Sequence, residues 1–209
     1  MGVAACASGD GSRADEDTYI KWVAFEVPIN ETVLLRWSKR QMPLRVFLPP
    51  PPEEMFEDPG AIYDSVRDGV LDWAGVAGPN LPDFVFVDVV GDADIPIIWA
   101  SEPDGDWYIA YCAYDIQPFA RRFGVSRILI TARWGDGQVA DLHDVYATVL
   151  HEMGHALGLG GHSPHPEDIM YKSTSGTAAS GLSSRDRATL TLLYERPIGA
   201  RIVGARGEH

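Results

Sequence analysis

"HEMGHALGLGGHSPHPEDIMY", residues 151–171, places four of the chain's six histidines within fifteen positions, with a glutamate beside the first and glycines between them. The residues just before it, "DLHDVYATVL" at 141–150, set the geometry in which those imidazoles are held. Asp141 is a plausible N-cap, and Asp144 three residues later sits near the positive helix end. At 100° per residue, Val145, Tyr146, Val149, Leu150, Met153, Ala156 and Leu157 fall within about 80° of Leu142. That pattern predicts a helix over 141–157 with this stripe buried. On the same wheel His151 lies near 180° and His155 near 220°, one turn apart on the face directed away from the stripe. Two neutral imidazoles so placed can share one metal ion.

H-E-x-x-H on a helix is the signature of a zinc site in which the glutamate handles a proton while the histidines ligate. Such a zinc takes three protein ligands and leaves a fourth position open. If the helix ran on, His162 would lie about 10 Å further along the axis than His155, out of reach of an ion held at about 2 Å. The chain therefore has to turn back. Gly158, with Gly160 and Gly161, supplies positions that accept positive φ and can stop the helix without strain. His162 is then the candidate third ligand, and His165 is its rival.

At this point the sequence resembles the matrixins, within the metzincin clan of zinc endopeptidases, whose pattern is HExxHxxGxxH followed by a methionine turn. His151, Glu152, His155 and Gly158 match position for position. The family's third histidine would fall on Gly161, whereas His162 stands one place later. Met170 and Tyr171 in "DIMY" resemble the Met-turn, eight residues after His162, so the register returns if one glycine has been inserted in the loop. "AIYDSVRDGVLDWAGV" is similar to the family's first helix, "GDADIPIIW" to one of its strands, and "LSSRDRATLTLLYE", 182–195, to its closing helix, with Ser183 and Asp186 spaced as a capping box. The likeness runs over about residues 35–195.

The resemblance implies a zinc-dependent endopeptidase: zinc on His151, His155 and His162, Glu152 as general base, Met170 as an apolar floor and Tyr171 shaping the pocket. It implies protein or peptide substrates laid extended along an edge strand, nominated at 107–114. A catalytically silent peptide-binding module of the same build and a hydrolase of non-protein amides are the alternatives. No histidine precedes His143, so the structural zinc usual in matrixins is not expected. Structural calcium, common in the family, has only "DGD" at 104–106 and "GDG" at 135–137 as candidate stretches.

The rest of the chain reads as a sheet with helices packed on it, an α/β (α+β) domain: a mixed twisted sheet, a packed N-terminal helix, the histidine helix and a C-terminal helix. Strands are expected at 42–48, 83–90, 94–100, 107–114 and 126–132, the first stopped by the four prolines 49–52 and the third placed at an edge or bulge by Pro96. Asp58 and Pro59 start a helix in which Ile62, Val66, Val70 and Trp73 recur at helical spacing. Residues 1–18 read as a disordered tether and 19–209 as one catalytic domain.

With 45% apolar residues in 209, one substantial core can be buried. A formal charge of −13 argues against nucleic acid or an anionic membrane surface as partner. No apolar run is long enough to span a membrane. Two cysteines, Cys6 and Cys112, cannot form a disulfide framework. Cys112 reads as a small strand residue. "VAAC" followed by a polar stretch resembles the anchor of a bacterial lipoprotein, so Cys6 is either lipidated or an ordinary thiol. A secreted or cell-envelope location and a monomer are expected.

Overall fold

The computed structural model describes residues 17–27, 31–76, 78, 80–100, 109–117, 122–131, 138–172 and 179–202. Residues 1–16, with Cys6, and the acidic stretches at 104–106 and 135–137 lie outside the described residues. Order in the core starts at Tyr19, which is buried, and a short ribbon that the sequence pattern did not announce follows it: β1 (Phe25–Val27) pairs antiparallel with β2 (Glu31–Val33).

The main sheet is built from β3 (Leu44–Phe47), β4 (Phe84–Val87), β5 (Ile95–Ala100), β6 (Ala110–Gln117) and β7 (Arg122–Thr131), in the spatial order β4-β3-β5-β7-β6. The β3–β4, β3–β5 and β5–β7 pairs are parallel, and β6 closes one edge antiparallel to β7. Leu44, Val46, Ile95, Ile97, Ile128 and Ile130 alternate inward and are almost fully buried. The strand expected at 83–90 ends at Val87, and its last valines, Val89 and Val90, are exposed around a 3-10 turn at Val90–Asp92. Pro96 does not mark an edge. It lies in the central strand β5, where the ladder with β3 stops at the Phe47–Pro96 pair and the ladder with β7 begins at Ile97–Ile128, so the missing N–H falls between the two.

Helix α1 (Pro59–Asp72) starts as its sequence directs, with Asp58 accepting from the Ala61 N–H at 2.9 Å and Pro59 in the first turn. Its buried side chains Ile62, Val66 and Val70 lead to Trp73, whose indole N–H donates to the Leu150 carbonyl at 2.8 Å and so fastens α1 to the histidine helix. That helix, α2 (Leu142–Ala156), opens with a capping box between Asp141 and Asp144. The expected one-sided burial is overturned. Val145 and every residue from Ala147 to Ala156 are buried, while Leu142, at the centre of the predicted stripe, is 48% exposed in the first turn. The reason is a second cover: residues 157–171 and β6 close over the histidine face, with the Ile169 carbonyl on His151 and the Tyr114 ring edge-on to His155, while α3 (Ser184–Glu195) packs at the helix end. Tyr194 donates to the Leu157 carbonyl at 3.0 Å and Trp37 to that of Ala156 at 2.7 Å, which satisfies two carbonyls freed by the helix end.

α2 stops in a Schellman arrangement. Gly158 N–H donates to the His155 carbonyl at 2.9 Å and Leu159 N–H to that of Gly154 at 3.1 Å. Gly158 has φ +107°, a conformation side chains rarely take, and a Cβ there would stand 2.4 Å from the Leu35 carbonyl oxygen. Gly160 and Gly161 differ from the expectation. Neither has positive φ among the described residues, and each is small because chain packs directly on it: a Cβ would come within 2.7 Å of the Phe25 ring or 2.1 Å of the Trp22 carbonyl oxygen.

Gly158→Ala is therefore expected to destabilise the protein by at least about 2 kcal/mol, the cost of a strained φ plus the displaced Leu35 backbone. Urea unfolding of the two proteins measures it, and a difference under about 0.5 kcal/mol would contradict the assignment of the turn to this glycine.

Candidate metal centre

The Schellman turn brings the chain back so that His162 faces the two helix histidines. His151, His155 and His162 each offer a ring nitrogen, and the three nitrogens lie within 4.8 Å of one another. The ring centroids are 4.7, 5.1 and 5.0 Å apart for the pairs 151–155, 151–162 and 155–162. His165 is exposed and outside the group, with its backbone N–H spent on the Ser163 hydroxyl at 3.2 Å.

Two of the rings are fixed from behind. His151 Nδ1 lies 2.7 Å from the Ile169 carbonyl and His155 Nδ1 lies 2.6 Å from that of Leu159. A carbonyl can only accept, so each Nδ1 carries the proton and each Nε2 is left with a lone pair. This is the arrangement in which backbone carbonyls set the tautomer and orientation of metal-ligating imidazoles. Three neutral donors so close together, two with their tautomer fixed, fit a zinc ion held at about 2.0–2.1 Å.

Burial enforces neutrality. It pulls His151 down to about 4, with His162 nearby adding to the fall and the Ile169 carbonyl opposing it. His155 is held well below the ordinary histidine range, first by burial and then by its two neighbouring imidazoles. Glu152, between them in sequence, is buried and raised to about 8 by desolvation, and the backbone N–H of Cys112 on β6 donates to its carboxylate and opposes that rise. Cys112 is a free, half-buried thiol whose own proton is held more tightly than usual by burial.

Met170 is fully buried under the helix. A Cβ on Gly154 would stand 2.2 Å from the Met170 sulfur, so the "G" of HEMGH is what lets the thioether lie against the helix between the two histidine turns. Tyr171 is half-buried, its N–H donating to the Asp168 carbonyl at 3.1 Å, and it bridges Ser163 beside the third histidine. Ser163 N–H donates to the Met170 carbonyl at 2.7 Å, and its hydroxyl to the buried Asp168, which also accepts from Arg185 at 3.0 Å.

A further chain of contacts has no signature in the sequence. Asp186 was legible there only as the partner of Ser183 in a helix cap. It is 0% exposed and also accepts from the Ile169 N–H at 2.9 Å and from the Tyr19 hydroxyl at 2.6 Å. Ile169, whose carbonyl holds His151, is thus itself held through its N–H by a carboxylate from α3. This link is invisible to pattern reading, because Tyr19 and Asp186 are far apart along the chain.

The buried groups set a pH dependence for the metal-free protein. His151 and His155 have folded pKa values below their unfolded ones, so the unfolded chain binds more protons and stability falls as pH drops from about 6.5 towards 4. Glu152, raised from about 4.5 to about 8, works in the opposite sense across that window. With two imidazoles against one carboxyl, the zinc-free protein is expected to lose stability on going from pH 6.5 to 4.5, and Glu152→Gln is expected to steepen the loss. Denaturant unfolding at the two pH values checks this; a Gln variant with a flatter dependence than wild type would contradict it.

Among the described residues no helix is long and apolar enough to cross a membrane. No individual curated protein matches the sequence. The sequence model of one family, described as Matrixin, matches residues 53–195, which takes in α1, the whole main sheet beyond β3, the three clustered histidines, Met170 and α3. With that match spanning more than half of the chain, over the same residues that carry the donor cluster, the chain belongs to the matrixin family.

Proposed function

We propose that this protein is a zinc-dependent endopeptidase in which His151, His155 and His162 hold the ion and Glu152 is the general base. The observation that carries the reading is the convergence of three imidazoles, two of them with Nδ1 tied to backbone carbonyls, beside one buried carboxyl group. When bound, zinc would supply Lewis-acid polarisation of the scissile carbonyl and of the attacking water.

The chain's own residues account for the rest. Glu152, buried beside the histidines, would take a proton from water and return it to the leaving amine. The Cys112 N–H fixes where that carboxyl points. Met170 gives the imidazoles an apolar floor that excludes water from beneath, and Tyr171 contributes to the wall next to His162.

An extended peptide is the substrate that β6 suits. It is an edge strand, and the Thr131 N–H donates to the Ile109 carbonyl at 2.7 Å. Antiparallel ladders alternate, so with the register Ala110–Ile130, Tyr111–Leu129, Cys112–Ile128, the main-chain groups of Ala110 and Cys112 face away from β7. The Cys112 N–H is taken by Glu152, so the Cys112 carbonyl is the group on this edge that an added strand would meet. The edge begins at Ala110, with 107–108 of the nominated strand outside the described residues. The family relation supports a secreted or cell-envelope location.

Glu152→Ala is expected to lower kcat/KM on a generic protein substrate by roughly 10²–10⁴-fold while leaving zinc bound, and a chelator is expected to abolish activity that added zinc restores. An alanine variant as active as wild type removes Glu152 from the role. A zinc-loaded wild type that binds peptides and cleaves none supports the silent binding module instead.

A further inference from the structure

The one departure from the family spacing is the glycine before His162, and the structure shows what the longer loop rests on. Gly160 N–H donates to the Val23 carbonyl at 2.9 Å. The Phe25 ring lies over the Cα of Gly160, and the Trp22 carbonyl oxygen over that of Gly161, so closely that a Cβ on either would stand at 2.7 or 2.1 Å. Both residues that lead into the third histidine are therefore in contact with one short stretch from the start of the domain.

Phe25 also reaches the second histidine. Its buried ring meets Tyr114 of β6 edge-to-face at 5.2 Å between centroids, and Tyr114 meets the His155 ring edge-on at 6.3 Å. Phe123 of β7 packs on Phe25 at 5.6 Å and on Trp37 at 5.5 Å, so the ring is wedged into the sheet and cannot drift with the loop. A pair of adjacent glycines has more backbone freedom than any other dipeptide and would lose it when an ion fixed His162. Contacts that order the pair beforehand remove that loss from the binding step.

We propose that Trp22, Val23 and Phe25 are positioning residues for His162: a seat that holds the lengthened loop where its imidazole completes the metal site. The proposal rests on the reading of the three histidines as ligands. It assigns the inserted glycine a role, since only a residue without a Cβ lets the loop reach the Trp22 carbonyl. Metal affinity then depends on the seat separately from overall stability.

Zinc affinity of the full chain, measured by competition with a chromophoric chelator, tests this together with the visible absorption of the cobalt-substituted protein, which reads ligand geometry. Gly160→Ala is expected to weaken zinc binding about 10-fold or more and to perturb the cobalt bands. Phe25→Leu added to it makes room for the new Cβ and is expected to recover most of the loss. Gly161→Ala, whose Cβ meets a backbone oxygen, is expected to be weak with or without Phe25→Leu. A folded Gly160→Ala with wild-type affinity and spectrum, or a loss that Phe25→Leu leaves untouched, overturns the seat. Should Gly160→Ala fail to fold, Phe25→Leu alone decides: several-fold weaker zinc supports the proposal and unchanged affinity overturns it. A wild type that binds no zinc overturns the metal reading and the seat with it, whereas variants that match a zinc-binding wild type overturn the seat alone.

Discussion

A helix can aim two imidazoles at one point but not three, because residues that share a face move about 5.4 Å along the axis with each turn. The centre of this protein depends on how the chain leaves that constraint behind. α2 delivers His151 and His155 one turn apart, then ends at Gly158, where a φ of +107° reverses the backbone tightly against Leu35. The reversal does two things at once. It returns His162 to the helix, and it turns the Leu159 carbonyl to within 2.6 Å of His155 Nδ1. The loop that supplies the third donor thus also orients the second.

The same economy holds at the other histidine. The turn containing Met170 presents the Ile169 carbonyl to His151 and the Met170 sulfur to the bare Cα of Gly154. The Ile169 N–H is gripped by Asp186, which Tyr19 and the α3 cap also engage. Buried polar groups of this kind are costly when unpaired and rigid when paired. Asp186 and the two helix histidines show the paired state, so the site is stiff before any ion is considered. Burial carries a second consequence: the imidazoles stay neutral and ready to ligate, while the carboxyl between them keeps a high proton affinity.

Much of this was legible in the residues, and for identifiable reasons. Helix starts were clear wherever a side chain alone does the capping, as with Asp58, Asp141 and Ser183. The histidine spacing and Gly158 were legible because local geometry fixes them, and Met170 only through the resemblance to the matrixins. What failed was whatever depends on distant chain. The helical wheel could not know that β6 and residues 157–171 would bury the histidine face. Pro96 read as a mark of an edge or a bulge because sequence does not reveal that two ladders meet beside it. Gly160 and Gly161 looked like hinges, but they are contact points for Phe25 and Trp22, a segment whose ribbon has no strong period of its own. The link from Cys112 to Glu152 is a backbone bond, which no side-chain pattern announces.

His151, His155 and His162 are arranged as one donor set that could hold one ion. An anomalous-difference map collected at the zinc absorption edge on crystals of the zinc-loaded protein tests it most directly. A single strong peak is expected in contact with the Nε2 atoms of all three rings, with the Nδ1 atoms of His151 and His155 still on the Ile169 and Leu159 carbonyls. A peak held by only two of these imidazoles, or by His165 or Cys112 in place of His162, would contradict it.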